Sequence, residues 1–234
     1  MKIDRPEIYY GEKTSEYILV NTSTQEFDYP KGDKNVYTNY QGRGGVLIDS
    51  FMKRLLFAIE FQDPQILFTT YLTPESRIMF YRRIKNRVIA IAPFLAYDSD
   101  PYMVVSGGRL YWIQDAYTAS NMYPYSKRSK TPFRKKELNY IRNSVKVIID
   151  AYDGDVSYYT IDEQDPIVAT YARVYPELFK PLAAMGSAVN VSNLMAGRPP
   201  ENVDQALAAK TAKIVGYKAP LALKVADEII EHLA

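Results

Sequence analysis

The chain has no cysteine and a single histidine, His232, among its 234 residues. Without thiols there is no disulfide framework, no thiolate nucleophile and no thiolate zinc site, and one imidazole excludes a multi-histidine metal centre. A Ser-His-Asp triad would have to recruit His232. Neither sign of charge is in excess: 29 Lys and Arg against 27 Asp and Glu leave +2. No global field therefore points to nucleic acid. Long apolar runs are missing as well. The longest uncharged stretch, Pro181 to Gly197, is interrupted by Pro, Gly, Asn and Ser, and the denser Val88–Tyr97 is too short to span a bilayer. No basic and apolar leader follows Met1, so this stretch is expected to be soluble, as an excised ectodomain would be.

What the chain does have is tyrosine: 21 copies, against 9 Phe and 1 Trp. Tyrosine couples apolar area to a polar tip, which suits half-buried strands, wet interfaces and sugar- or peptide-binding surfaces. With 47% hydrophobic and 24% charged residues the composition is globular.

Up to residue 45 the pattern is strands and turns, with β-branched and aromatic Tyr17–Val20 and Phe27–Pro30 ending at a turn. Gly42-Arg43-Gly44-Gly45 lacks the Lys-Ser/Thr of a P-loop and the spacing of a dinucleotide fingerprint. Asp49 is positioned to cap a helix in which Phe51, Leu55, Leu56 and Ile59 recur at helical spacing, ending near Asp63-Pro64. Thr73, Pro74 and Glu75 predict the start of a second helix, with a stripe of Phe80/Tyr81, Ile84, Val88 and Ile91 and a stop at Pro93. From Ala96 the period changes. Tyr102–Val105 and Arg109–Asp115 predict a hairpin turned at Ser106-Gly107-Gly108, whose second strand is apolar on both faces and so central. Val145, Val147 and Ile149 predict another, returning through an Asp153-Gly154 type I′ turn to Val156, Tyr158 and Tyr159. The expected fold class is α+β: a largely antiparallel sheet with two or three covering helices, plus a C-terminal helical pair at Ala206–Val215 and Pro220–Leu233.

Two kinds of charged cluster stand out. Ser126 to Glu137 holds Lys127, Arg128, Lys130, Arg134, Lys135 and Lys136. That is either a solvated loop or a patch attracted to an anionic surface, at about 1 kcal/mol per charge beside a bilayer. Aspartates gather at Asp98/Asp100, at Asp150/Asp153/Asp155 and at Asp162/Glu163/Asp165. None matches an EF-hand loop, and all sit beside Pro or Gly as turn-forming aspartates do. Paired carboxylates also serve glycoside hydrolysis as acid and base, at a separation only a structure shows.

In order along residues 4–185, several segments resemble uncharacterised protein family 0182, a group of large bacterial membrane proteins. They include Arg5-Pro6-Glu7-Ile8-Tyr9-Tyr10-Gly11-Glu12, Thr73-Pro74-Glu75-Ser76-Arg77, Tyr97-Asp98-Ser99-Asp100-Pro101-Tyr102, Trp112-Ile113-Gln114-Asp115-Ala116-Tyr117-Thr118, and Asp150-Ala151-Tyr152-Asp153-Gly154. The resemblance implies a multi-spanning parent with a large extracytoplasmic part, and it brings no reaction, cofactor or catalytic residue with it. Residues 1–185 are then an extracytoplasmic domain of a bacterial cell-membrane protein. Residues 186–234 are a helical appendage in which Gly186-Ser187 would suit a fused origin. Arg198-Pro199-Pro200-Glu201 and Lys218-Ala219-Pro220-Leu221-Ala222-Leu223-Lys224 are similar to the helical tail of crotonase-type enoyl-CoA hydratases, without the oxyanion-hole segment acyl-CoA chemistry needs.

The leading expectation is a binding module without catalysis, cofactor or metal. Its partner would be an envelope protein or glycan, or its own membrane domain, with the membrane reached through the parent protein. The alternative is an envelope hydrolase using paired aspartates or a divalent cation. Both place the functional surface between Tyr97 and Tyr125, at Asp98, Asp100, Tyr102, Trp112, Asp115, Tyr123 and Tyr125.

Overall fold

A computed structural model describes residues 3–131 and 134–185, with the side chains of 29–31 and 131–136 left aside. The predicted C-terminal helical pair and His232 lie outside the described residues. In chain order the elements are β1 (Tyr17–Val20), β2 (Glu26–Lys31), β3 (Lys34–Thr38), β4 (Val46–Leu47), α1 (Phe51–Glu60), α2 (Gln65–Phe68), β5 (Arg77–Phe80) and α3 (Ile84–Ile91). They continue with β6 (Ala96–Tyr97), β7 (Tyr102–Ser106), β8 (Arg109–Ser120), β9 (Ser129–Thr131), β10 (Arg134–Leu138), β11 (Tyr140–Asp150), β12 (Val156–Thr160), α4 (Pro166–Val174) and β13 (Phe179–Pro181). Residues up to Ala184 form one compact unit.

The main sheet runs β13-β12-β11-β8-β6, with β7 on β8 beyond β6. Its described pairings are antiparallel except β12 with β13. This is the expected α+β class. Opposite pairs Val145↔Ala116, Val147↔Gln114 and Ile149↔Trp112 put one pleat face of β8 and β11 into the core. There they meet Val88 from α3, Ala92 just past its end, and Val168 from α4. Ile113 and Ile148 oppose each other on the other face and are buried too, so β8 is the doubly covered central strand its sequence predicts.

A second, three-stranded sheet has the order β1-β5-β4. Along β5 the pleat sends Ile78 into a small core with Ala58 of α1 and Ile66 of α2, while Met79 enters the main core. This corrects the helix predicted from Thr73. Thr73 and Ser76 hydroxyls both donate to Asn21 O, at 2.9 and 2.8 Å, closing a turn that feeds strand Arg77–Phe80. The helix starts only at Ile84, after Tyr81 at φ 50°. Adjacent residues buried on opposite sides demand a strand, and the pairing partner that imposes it, Tyr17–Val20, is remote in sequence.

Three smaller corrections are local. The cap of α1 is Ser50 rather than Asp49, which instead pairs with Lys53 at 2.8 Å. The turn between β11 and β12 is a five-residue loop, 151–155, in which Gly154 has φ 74° and Asp153 no positive φ, so it is not type I′. The basic stretch after Ser126 contains the hairpin β9–β10 rather than a bare loop.

Candidate functional site

The seven candidate residues do not meet at one point, because the pleat and the length of β8 separate them. Trp112 faces the core and its indole N–H donates to Tyr10 O at 2.9 Å, which pins the N-terminal arm to the sheet. Tyr102 and Asp115 lie on the opposite face. Asp115 pairs there with Lys146 directly across the strands and accepts from Asn143 Nδ2 at 3.3 Å. Lys146 Nζ also stands 5.9 Å from the centre of the Tyr102 ring. Burial, then the Asp115 charge, pushes the Tyr102 hydroxyl above the ordinary phenol range.

Asp98 is buried at the entry to this region. Its Oδ1 accepts the N–H groups of Ser99 and Asp100 at 2.6 and 3.3 Å, and Tyr117 OH donates to Oδ2 at 3.1 Å. That is a turn-closing aspartate. Asp100 is exposed. Tyr123 and Tyr125 lie at the far end of the β8–β11 ribbon, 40% and 102% exposed.

The better-organised charge cluster is one that sequence reading assigned to turn chemistry. Arg109 Nη2 pairs with Asp150 at 2.8 Å and with Asp153 at 2.7 Å. Asp153 Oδ1 also accepts from Tyr40 OH at 2.6 Å and from Arg43 N at 3.0 Å. Burial would raise the Asp153 pKa, but these donors, Tyr40 and Arg109 foremost, hold it below the usual carboxylate value. A methyl group on Gly42 would stand 2.1 Å from Asp153 Oδ1, so the glycine run is there to let two backbones touch. The cluster is a clamp between the glycine loop and the β11–β12 turn.

Several of the tyrosines also tie the fold together. Tyr9, Tyr40 and Tyr152 form an aromatic trio with centroids 4.9–5.3 Å apart. Tyr9 donates to Glu26, Tyr17 to Asp63, Tyr140 to Asp165, and Tyr97 and Tyr158 both to Val88 O. Tyr9, Tyr17, Tyr97 and Tyr158 fill or pack against the cores while their hydroxyls find partners. A shallow cleft of about 430 Å³ is lined by Glu7, Glu26, Asp28 and Arg82 among others. Its Glu26 is already taken up by the amides of Asn21 and Tyr40 and by Tyr9 OH. Among the described residues no group of three acidic or imidazole side chains is placed to hold a metal ion.

Two surfaces remain unexplained by folding. On α1 and α2, Phe51, Met52, Leu56, Ile59 and Phe68 are 60–80% exposed, and Tyr71 beside them is 57% exposed. Met52, Leu56 and Ile59 follow 4,3 spacing on one helix face that is turned outward, while Ala58 faces the core. The other surface is the ribbon tip, with Met122 81% exposed beside Tyr123 and Tyr125.

A family model described as "Uncharacterised protein family (UPF0182)" matches residues 1–191. The chain belongs to this family. UPF0182 proteins of Sulfurovum sp. (strain NBC37-1) and of Desulforamulus reducens are 57% and 55% identical to it over 186 residues, which is 79% of this chain and 20% of each relative. A UPF0182 protein of Methanospirillum hungatei JF-1 is 50% identical over 183 residues, again 20% of its length. The chain thus spans about a fifth of the curated relatives it matches. No solved structure matches it. Among the described residues no helix of this UPF0182 chain is long and apolar enough to cross a membrane.

Proposed function

We propose that this UPF0182 segment is a non-catalytic packing module, the extracytoplasmic part of a much larger membrane-bound polypeptide, docked on the rest of that polypeptide through the α1–α2 face. One observation carries the reading: five large apolar side chains from Phe51 to Phe68 stand 60–80% exposed on two successive helices, with Tyr71 just beyond them 57% exposed. An apolar patch beyond about 300–600 Å² on a soluble domain marks a contact surface. The relatives' greater length supplies the chain that would cover it. Met52, Leu56 and Ile59, half of the face, offer a sugar neither stacking planes nor hydrogen bonds, so a protein surface covers the whole face better than a glycan would.

The hydrolase alternative has less to draw on. Asp98 closes a turn, Asp115 is paired with Lys146, and Asp150 and Asp153 share Arg109.

The test uses the full-length parent protein in its native membrane. Leu56→Lys with Ile59→Lys is expected to leave the module folded but to open its junctions to limited proteolysis. An unchanged cleavage pattern would overturn the docking face. For location, Glu75→Cys is expected to react with a membrane-impermeant maleimide on intact cells. Labelling only after lysis would overturn the extracytoplasmic placement.

A further inference from the structure

The tip of the β8–β11 ribbon is apolar, basic and rigid at once, and folding needs none of these. Met122 is 81% exposed and Tyr125 102%. A set of hydrogen bonds fixes the backbone of this tip. Asn139 Nδ2 donates to Tyr123 O at 2.7 Å and Ser126 O at 3.1 Å, and its Oδ1 accepts from Tyr123 N at 3.0 Å. Ser126 Oγ donates to Asn139 O at 2.9 Å, and Met122 N to Ser120 Oγ at 3.0 Å. Tyr123 stacks on Tyr140 at 4.6 Å, and Tyr140 is tied in turn to Asp165. Tyr125 stands at φ 58°, a backbone state bulky residues seldom adopt, which directs a bare phenol ring into solvent.

Immediately after it come Lys127, Arg128 and Lys130, all exposed. Ser126 to Glu137 holds six basic residues and one acidic residue, Glu137. Glu137 lies opposite Lys130 in the β9–β10 pairing and offsets that one charge. Arg128 Nε reaches back to Asn121 O at 3.0 Å, so the cations and the apolar tip share one rigid turn.

We infer that residues 122–130 form a lipid-contact tip, with Met122 and Tyr125 entering the interfacial layer of a bilayer while Lys127, Arg128 and Lys130 meet anionic phospholipid headgroups. Tyrosine rings favour the headgroup level, and basic side chains beside them are drawn by the negative surface potential. Protein partners seldom select lysine at their contacts, whereas an anionic bilayer rewards each one. This tip shares with the docking role only its setting near a membrane; it uses a different surface, so either can fail alone.

The test takes the whole 234-residue chain in co-sedimentation with vesicles of mixed phosphatidylglycerol and phosphatidylcholine, against vesicles of phosphatidylcholine alone. Lys127 and Arg128, with Lys130 offset by Glu137, predict a preference for the anionic vesicles of about thirtyfold, falling with added salt. Lys127→Gln with Lys130→Gln is expected to remove most of that preference. Met122→Ser with Tyr125→Ser is expected to weaken binding about tenfold at unchanged far-ultraviolet circular dichroism. Tyr125→Trp is expected to shift its emission to the blue on anionic vesicles. Equal binding to both vesicle types would overturn the inference. So would binding to soluble heparin that matches the vesicles and ignores the Met122/Tyr125 change, since that describes a general polyanion site. Loss of vesicle binding with the α1–α2 docking intact would remove the tip alone.

Discussion

Asp165 is completely buried, yet it is held in the charged form. Burial alone would raise its pKa; hydrogen bonds from Ser144, Thr118 and Tyr140 and from Ile167 N at 2.9 Å more than reverse that and keep it below the usual carboxylate value. It caps α4 while tying that helix to β8 and β11. Truncation removes the cap and strands two buried hydroxyls, so Asp165→Ala is expected to cost about 2–4 kcal/mol in urea unfolding. Because the folded pKa is depressed, the stabilisation is present above the unfolded carboxyl's pKa of about 3.9 and is lost as pH falls through the folded value. Asp165→Asn should therefore flatten the acid limb of the stability curve. The sequence reading took the Asp-Pro pair as turn chemistry alone and missed α4, although Pro166 at the first helical position is a helix-start signal. The hydroxyl partners were not visible, since they come from strands 21 and 47 residues away.

At the scale of elements, the glycine loop and the β11–β12 turn fold as one piece. Gly154 has φ 74°, and a methyl group there would lie 2.5 Å from the Tyr10 ring. Arg87 joins the same contact: its guanidinium is 4.6 Å from the Tyr10 centroid and its Nε donates to Gly154 O at 2.6 Å. Gly154→Ala combines left-handed strain of about 1–2 kcal/mol with overpacking of about 1–3 kcal/mol. Gly107, also at positive φ, has nothing within 4 Å, so Gly107→Ala should show only the strain. Comparing the two urea midpoints separates the terms, and equal losses would mean that Tyr10 yields freely. Element type was readable wherever the period was long and local, as in both hairpins. It failed at Arg77–Phe80, where a good helix-start signal lost to pairing with a strand some sixty residues earlier.

For the whole molecule, tyrosine couples stability to alkaline pH. Burial leads the rise at each inward ring. It pushes Tyr17, beside Asp63, up to about 12 and Tyr158 up to about 12, and Tyr9, Tyr40 and Tyr97 higher still. A raised phenol stabilises the fold fully below the unfolded value of about 10 and loses that contribution as pH climbs through the folded value. Tyrosinate absorbance is therefore expected to rise only partly near pH 10, with the inward rings, Tyr9, Tyr17, Tyr40, Tyr97 and Tyr158, appearing together on cooperative unfolding. A single smooth titration of all rings near pH 10 would contradict the buried network. The residues alone determined the class, the two glycine-turned hairpins, the central position of β8 and the family, because local period, turn chemistry and residue identity carry those. Only the tertiary structure decided which tyrosines are core and which are surface, that Asp98 closes a turn while Asp153 anchors a clamp, and that the stripe on α1 faces outward. Each of those depends on which remote backbone comes to lie against a residue, and a linear pattern holds the shape of a face without saying what will cover it.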